Sequence, residues 1–371
     1  MYFRSCIFLL LVLPFYVFSS WDENTFIVKA NTSHSKSKTE FSTDLTVEKS
    51  TLGLLLSTVQ LYEGWGFSGT HASSYVDVNE YDHHNKNTVL KLNSFISSSS
   101  NLLFGLSSYD QLTTNGIAAT NFISTPRKQF IEQYSSAHID FNLGNDKDYW
   151  YFAFGSTIND LQRNDIFTDQ HFMQRDTDSL NSQLAWRISE DSFLTTKISY
   201  QHGDQFNGSF ISSASILSSY LGFKTRYLGS SQLSLDIGSS ELLNGRDSVS
   251  WRLTHVSNIN DYLHFVISNS RQFYVSNDAR FSADLQTATN MRININSTDY
   301  YATSFDVDYI EGLLGDTIHT QNIKVRSEFS IKYLSYWSSK LFLEHSDYND
   351  DRVLFDYTQT QIGLEFTRDL I

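Results

Sequence analysis

Between Ile323 and Tyr333 apolar and polar residues alternate strictly. Ile323, Val325, Phe329, Ile331 and Tyr333 share one face with Ser327, while Lys324, Arg326, Glu328, Ser330 and Lys332 share the other. A strand sends successive side chains to opposite faces, so the segment predicts a β-strand with one apolar and one charged side. A slip of one residue would carry four charges to the apolar side, which specifies the register strongly. The pattern recurs. Leu194, Thr196, Ile198 and Tyr200 alternate with Thr195, Lys197, Ser199 and Gln201. Leu233, Leu235 and Ile237 alternate with Ser234, Asp236 and Gly238; Val249, Trp251 and Leu253 with Ser250, Arg252 and Thr254. Ile139, Phe141 and Leu143 do so with His138, Asp140 and Asn142. Helical periodicity is absent.

Strands are expected near 52–61, 88–97, 101–110, 132–143, 149–159, 178–188, 193–203 and 214–226. The second half continues at 232–240, 247–256, 262–272, 280–295, 299–310, 321–333, 340–348 and 356–367. The connections alternate in length. Short turns fall around Ser98–Ser100, Asn145–Asp148, Ser189–Ser192, Tyr227–Ser231, Ser257–Asp261, Asn296–Asp299 and Leu334–Ser339. Longer segments lie between them, among them 62–87, 111–131 and 160–177. Even strand number and turns of alternating length predict an all-β, transmembrane, antiparallel up-and-down β-barrel of about 16 strands in a bacterial outer membrane. Aromatics gather beside the short turns (Tyr149, Trp150 and Tyr151; Tyr262; Tyr300 and Tyr301; Tyr336 and Trp337), as an interfacial girdle would.

The N-terminus changes the picture. Arg4 precedes an apolar run from Ile7 to Phe18, and small residues follow at Ser19 and Ser20. This is the order of a cleaved secretion signal, with Val17 and Ser19 at the two small-residue positions. The run is shorter than the roughly 20 residues a membrane-spanning helix needs. Cys6 would leave with the signal, so the mature chain would hold together without disulfides. Residues 1–19 are thus expected to be a signal peptide, 20–50 a polar, mostly disordered periplasmic leader, and 51–371 the barrel.

Composition agrees with a barrel. The two prolines are Pro14 and Pro126, and such scarcity favours extensive pairing, because proline cannot donate to a ladder. Aromatics reach 15%, while apolar residues are only 40%. That balance suits an apolar outside around a polar inside. The net charge of −14 argues against nucleic acid as a partner, since phosphates are bound through Lys and Arg.

Two stretches carry a family resemblance. The first is Arg175-Asp176-Thr177-Asp178-Ser179-Leu180 leading into Leu184-Ala185-Trp186-Arg187-Ile188-Ser189. The second runs from Tyr220 to Gly238, with Lys224-Thr225-Arg226-Tyr227 before a short turn. Both resemble the OmpL-like β-barrel porin-2 family, outer-membrane proteins often encoded with exopolysaccharide or capsule biosynthesis genes. The likeness lies in strand rhythm over most of 50–367. It departs at the family's early Asp-Asp-Asn segment, for which Tyr81-Asp82-His83-His84-Asn85 stands, and at the end, where residues follow Phe366. The resemblance implies a conduit or accessory in exopolysaccharide export, with the polymer and periplasmic export components as partners beside outer-membrane lipid. A general or solute-selective porin, or a structural or adhesion-type surface barrel, would have the same fold.

Candidate chemistry is sparse. No phosphate-cradling glycine loop or zinc-ligand spacing appears. His83 and His84, near Asp77, Glu80 and Asp82, read as a solvated external loop rather than a metal site. His255 and His345 fall on outward faces, and no serine spacing selects a catalytic pair with either. No enzyme activity, catalytic residue, cofactor or metal is therefore expected. The candidate lumen-lining residues are Lys197, Arg252, Lys324, Arg326, Glu328 and Lys332, which could tune a pathway or form a structural network.

Overall fold

The computed structural model describes residues 25–40, 45–62, 64–78, 81–97, 99–113, 130–145, 147–165, 171–207, 210–227, 230–243, 245–260, 262–276, 281–298, 300–314, 317–334, 337–351 and 356–369. Every element among them is a strand. They are β1 (Thr25–Glu40), β2 (Leu45–Tyr62), β3 (Trp65–Val78), β4 (Tyr81–Ser97), β5 (Ser100–Thr113) and β6 (Phe130–Leu143). Next come β7 (Trp150–Asp165), β8 (His171–Ser189), β9 (Ser192–Asn207), β10 (Phe210–Tyr227), β11 (Ser231–Leu242) and β12 (Arg246–Asn260). The last are β13 (Leu263–Val275), β14 (Ala283–Thr298), β15 (Tyr301–Leu314), β16 (Ile318–Leu334), β17 (Trp337–Asp350) and β18 (Tyr357–Asp369).

Each strand pairs antiparallel with its sequence neighbours, and β1 pairs with β18 from Lys29↔Asp369 to Glu40↔Thr358. The sheet therefore closes into an up-and-down barrel of eighteen strands and leaves no edge. Closure is what a membrane demands, because unpaired backbone groups in hydrocarbon cost several kcal/mol each, on the order of 2–7.

The count corrects the expectation of about 16 strands. One extra strand is β1, in the segment read as a disordered leader; the barrel wall begins at Thr25, not at residue 51. Only the start of β1 is apolar, so its own propensity is weak. What orders it is the pair of edges that β2 and β18 would otherwise leave open. The other is β3, in the stretch 62–87 read as a long loop. Its alternation is muted by small residues such as Ser68, Ser73 and Ser74, but the Gly64 turn, at φ 82°, was a usable signal. The supposed loop 160–177 also shrinks, since β7 runs to Asp165 and β8 starts at His171. Asp77, Asp82, His83 and His84 lie on β3 and β4 rather than in a loop, and no metal-competent cluster occurs among the described residues. The signal segment 1–19 lies outside the described residues.

The two rims differ. The rim with both chain ends carries eight tight connections, and an exposed aromatic accompanies each one. These are Trp65, Phe95, Tyr149 with Trp150, Trp186, Tyr227, Tyr262, Tyr300 with Tyr301, and Tyr333 with Trp337. Backbone bonds stitch neighbouring hairpins there: Arg187 N–H donates to Tyr149 O, Asn296 N–H to Tyr262 O and Lys332 N–H to Tyr300 O, each at 2.8 Å. Above this belt the outer face exposes Leu194, Ile198, Leu221, Phe223, Ile237, Val249, Phe305, Phe329, Leu343, Ile362 and Leu364. A belt of amphipathic rings bordering an apolar band is the surface a bilayer selects. The strands run from 12 residues in β11 to 19 in β8. At about 3.3 Å per residue they outreach the roughly 25 Å apolar band even when tilted, so the rim opposite the aromatic belt projects beyond it.

Candidate functional site: the barrel interior

Register fixes which residues point inward. Directly paired residues share a face, so Arg326 groups with Asp306 on β15 and Glu344 on β17, while Val325 groups with Val307 and His345 on the outer face. The six predicted residues Lys197, Arg252, Lys324, Arg326, Glu328 and Lys332 all fall on the inner face of their strands. The structure does not gather them at one point; it divides them between two walls.

On the first wall, β14–β18 present a ladder of ion pairs. Lys324 Nζ lies 2.9 Å from Glu344 Oε1, and Arg326 reaches Glu344 Oε2 at 3.1 Å and also binds Glu328. Lys340 bridges onward to Glu365 at 3.3 Å, and Arg292 pairs with Asp306. The Arg326 guanidinium also stacks on Phe342, 4.9 Å from the ring centre. Lys332 is exposed near the aromatic rim, opposite Ser338. Five cations (Arg292, Lys324, Arg326, Lys332, Lys340) share the inner face of this wall with Asp306, Asp308, Glu328, Glu344 and Glu365, and toward the far rim with Asp284 and Asp350, so its central charges are largely paired.

The second wall holds the other two. Lys197 Nζ sits 2.6 Å from Asp236 Oδ2, and Thr195 donates its hydroxyl to Asp236 Oδ1 at 3.2 Å. Asp236 is only 2% exposed, between outward Leu235 and Ile237, and a carboxylate so buried requires this pairing. Arg252 donates from Nε at 2.9 Å and Nη2 at 2.6 Å to Gln272 Oε1. It also lies 4.6 Å over the Tyr220 ring, whose hydroxyl reaches the same Gln272 oxygen at 3.1 Å. These groups border a cavity of about 430 Å³ whose lining joins amides and hydroxyls such as Asn101, Asn142, Thr157, Asn181 and Gln183 to Asp140 and to the apolar Leu103, Ala153, Phe154 and Ile198. Two of the amides are chained: Asn142 donates to Asn101 at 3.0 Å.

Sequence reasoning missed one interior feature, at the β13–β14 hairpin. At the loop-side end of the β13–β14 hairpin, β13 parts from β12, whose pairing with it stops at Trp251↔Arg271, and turns into the barrel while β14 stays paired to β15 up to Asp284↔Leu314. The hairpin's Phe273, Val275, Ala283 and Leu285 pack on Ala214, Ile216 and Leu242, which line the inner face of β10 and β11. Val275 meets Gly203 of β9, where an added Cβ would stand 2.7 Å from Val275 Cγ1. β13 accordingly comes within 8 Å of β9, β10 and β11, Cα to Cα. Upright, the hairpin would leave Ile216 and Leu242 wet inside the barrel; folded in, each such side chain gains about 1.5–3 kcal/mol of burial. The available signal was Ile216 and Leu242 themselves, large apolar residues on an otherwise polar inner face. On its other side the hairpin presents Tyr274 and Gln286 to β6–β9 across a cavity of about 340 Å³.

No family model and no curated protein matches the sequence. Solved structures do. OccK2 (OpdF) of Pseudomonas aeruginosa is 10% identical with a TM-score of 0.50, over 93% of this chain and 98% of that one. The fold is that of the outer-membrane β-barrels. The siderophore receptor PirA of P. aeruginosa is 11% identical with a TM-score of 0.51, over 93% of this chain and 80% of its own. PirA of Acinetobacter baumannii is 8% identical with a TM-score of 0.53, over 95% and 81%. Likeness at identities this low shows a shared fold, the closed antiparallel β-barrel. No described helix is long and apolar enough to cross a membrane; the wall of this barrel is formed by strands.

Proposed function

We propose that this outer-membrane barrel is a passage for small hydrophilic solutes of little net charge. The carrying observation is the cavity of about 430 Å³ where Lys197 is paired to Asp236, Arg252 is held by Gln272, and amides and hydroxyls stand among a few apolar side chains. Selectivity in such a pore follows the charge and hydrogen-bonding groups that line it. A strongly charged solute would meet cations and carboxylates already paired with one another. A neutral polar solute can exchange water for Asn, Gln and Thr contacts at small cost. Swelling of proteoliposomes carrying the purified protein should be faster in neutral polyols and small sugars than in equally sized anions or cations. Equal rates for all three, or no swelling above protein-free liposomes, would overturn the reading.

A second reading comes from sequence. The likeness of Arg175–Ser189 to the OmpL-like porin-2 family favours a part in exopolysaccharide export. A strain lacking the protein would then show less surface polysaccharide with polymer retained in the periplasm, and small-solute uptake would hardly change. Normal surface polysaccharide together with impaired sugar uptake would exclude this reading and favour the first.

A further inference from the structure

We propose that the space between the inward-folded end of β13–β14 and the β6–β9 wall is a saccharide-binding site that selects the solute; this rests on the passage reading above. Two tyrosines from opposite sides border it, Tyr134 on β6 and Tyr274 on β13. Tyr134 is held in place: its hydroxyl donates to Asn159 Oδ1 at 2.7 Å and its ring stacks on Tyr109 at 5.0 Å. Between the rings, Asn159, Gln201, Gln286 and Arg175 line the cavity, and no carboxylate does.

This set of groups matches one ligand chemistry. A sugar ring is apolar on the faces built from C–H groups and studded at its rim with hydroxyls, each both a donor and an acceptor. Aromatic faces suit the first, and carboxamides, which also donate and accept, suit the second. An apolar ligand would strip water from the three amides without replacing it. A cationic ligand would face the Arg175 guanidinium with no carboxylate to receive it. The volume of about 340 Å³ lies within the roughly 300–1,000 Å³ of small-ligand pockets. The site also sits where choice is effective: the hairpin fills the β9–β11 side of the interior, so a solute moving along the β6–β9 wall passes between Tyr134 and Tyr274.

The test uses the full-length protein and maltotriose as probe. In planar bilayers, maltotriose should block the ion current of the wild type in a concentration-dependent way. Tyr274→Ala and Gln286→Ala should each weaken the block about tenfold, measured against that variant's own sugar-free current. Tyr274→Phe keeps the ring and should keep the block. A spermidine probe should block far less than maltotriose. Calorimetry of maltotriose with the detergent-solubilised protein reads the site without transport. Binding that survives while flux is absent would sink the passage reading and leave the site standing. Absent binding to the wild type, a block indifferent to both alanine variants, or equal block by spermidine would each overturn the site.

Discussion

Val275 of β13 rests against Gly203 of β9, although β10, β11 and β12 separate the two strands along the wall. The contact exists because Gly203 has no side chain. A Cβ there would approach Val275 Cγ1 to 2.7 Å and Thr177 Cγ2 to 3.1 Å. Gly203→Val should therefore unseat the hairpin end, since overpacking of this kind costs about 1–3 kcal/mol. The expected outcome is a larger, noisier single-channel current from a barrel that still assembles. An unchanged conductance trace would show that the hairpin does not narrow the passage.

The outer and inner faces of β16 give a paired test. Val325→Lys places a charge on the lipid-facing side, where it costs about 2–4 kcal/mol near the midplane, so the fraction of folded, heat-modifiable protein should fall. Arg326→Ser changes the wet side and leaves Glu344 with Lys324, and should assemble nearly as well as the wild type. A reversed order would mean that the two faces are exchanged.

Closure depends on β1. Ala30 pairs with Leu54 on one side and Arg368 on the other. Ala30→Pro removes a backbone donor from a strand that has neighbours on both sides, a position proline does not tolerate. The variant should accumulate unassembled, as judged by loss of the compact band in unheated gels. Normal assembly would show that the barrel closes without this strand.

The rims predict the orientation. Cysteines at Gly245 and Asp351, both exposed at the long-connection rim, should react with an impermeant reagent on intact cells. Cysteines at Lys147 and Glu190, exposed beside the aromatic belt, should react only after the outer membrane is opened. Labelling in the opposite sense would invert the topology.

The ion-pair ladder links charge to selectivity. Changing Lys324, Arg326 and Lys332 together to Gln would leave Glu328, Glu344, Glu365, Asp306 and Asp308 facing only Arg292 and Lys340. The reversal potential in a salt gradient should then move toward cation selectivity, while the amount of assembled barrel changes little. A potential that stays put would mean that these charges line a sealed network rather than a pathway.

The sequence alone determined the class of fold and the two faces of the wall. Alternation at period two, as in Leu194 against Lys197 or Val325 against Arg326, is imposed by the pleat of each strand and needs no knowledge of its neighbours. Aromatics beside the short turns were readable for the same local reason. What lay beyond the sequence were the features that depend on distant partners. β1 is a strand because β2 and β18 require one, not because its serines and lysines favour it. Phe273 and Val275 occupy positions that alternation assigns to lipid, yet they bury against Ile216 and Leu242. That outcome depends on the missing side chain at Gly203 and on apolar residues far away in the chain, which only the closed barrel brings together. The pairing partners of Lys197 and Arg252 follow the same logic. Their inward direction is local, but Asp236 reaches Lys197 only across β10, and Gln272 reaches Arg252 only through the pairing of β12 with β13.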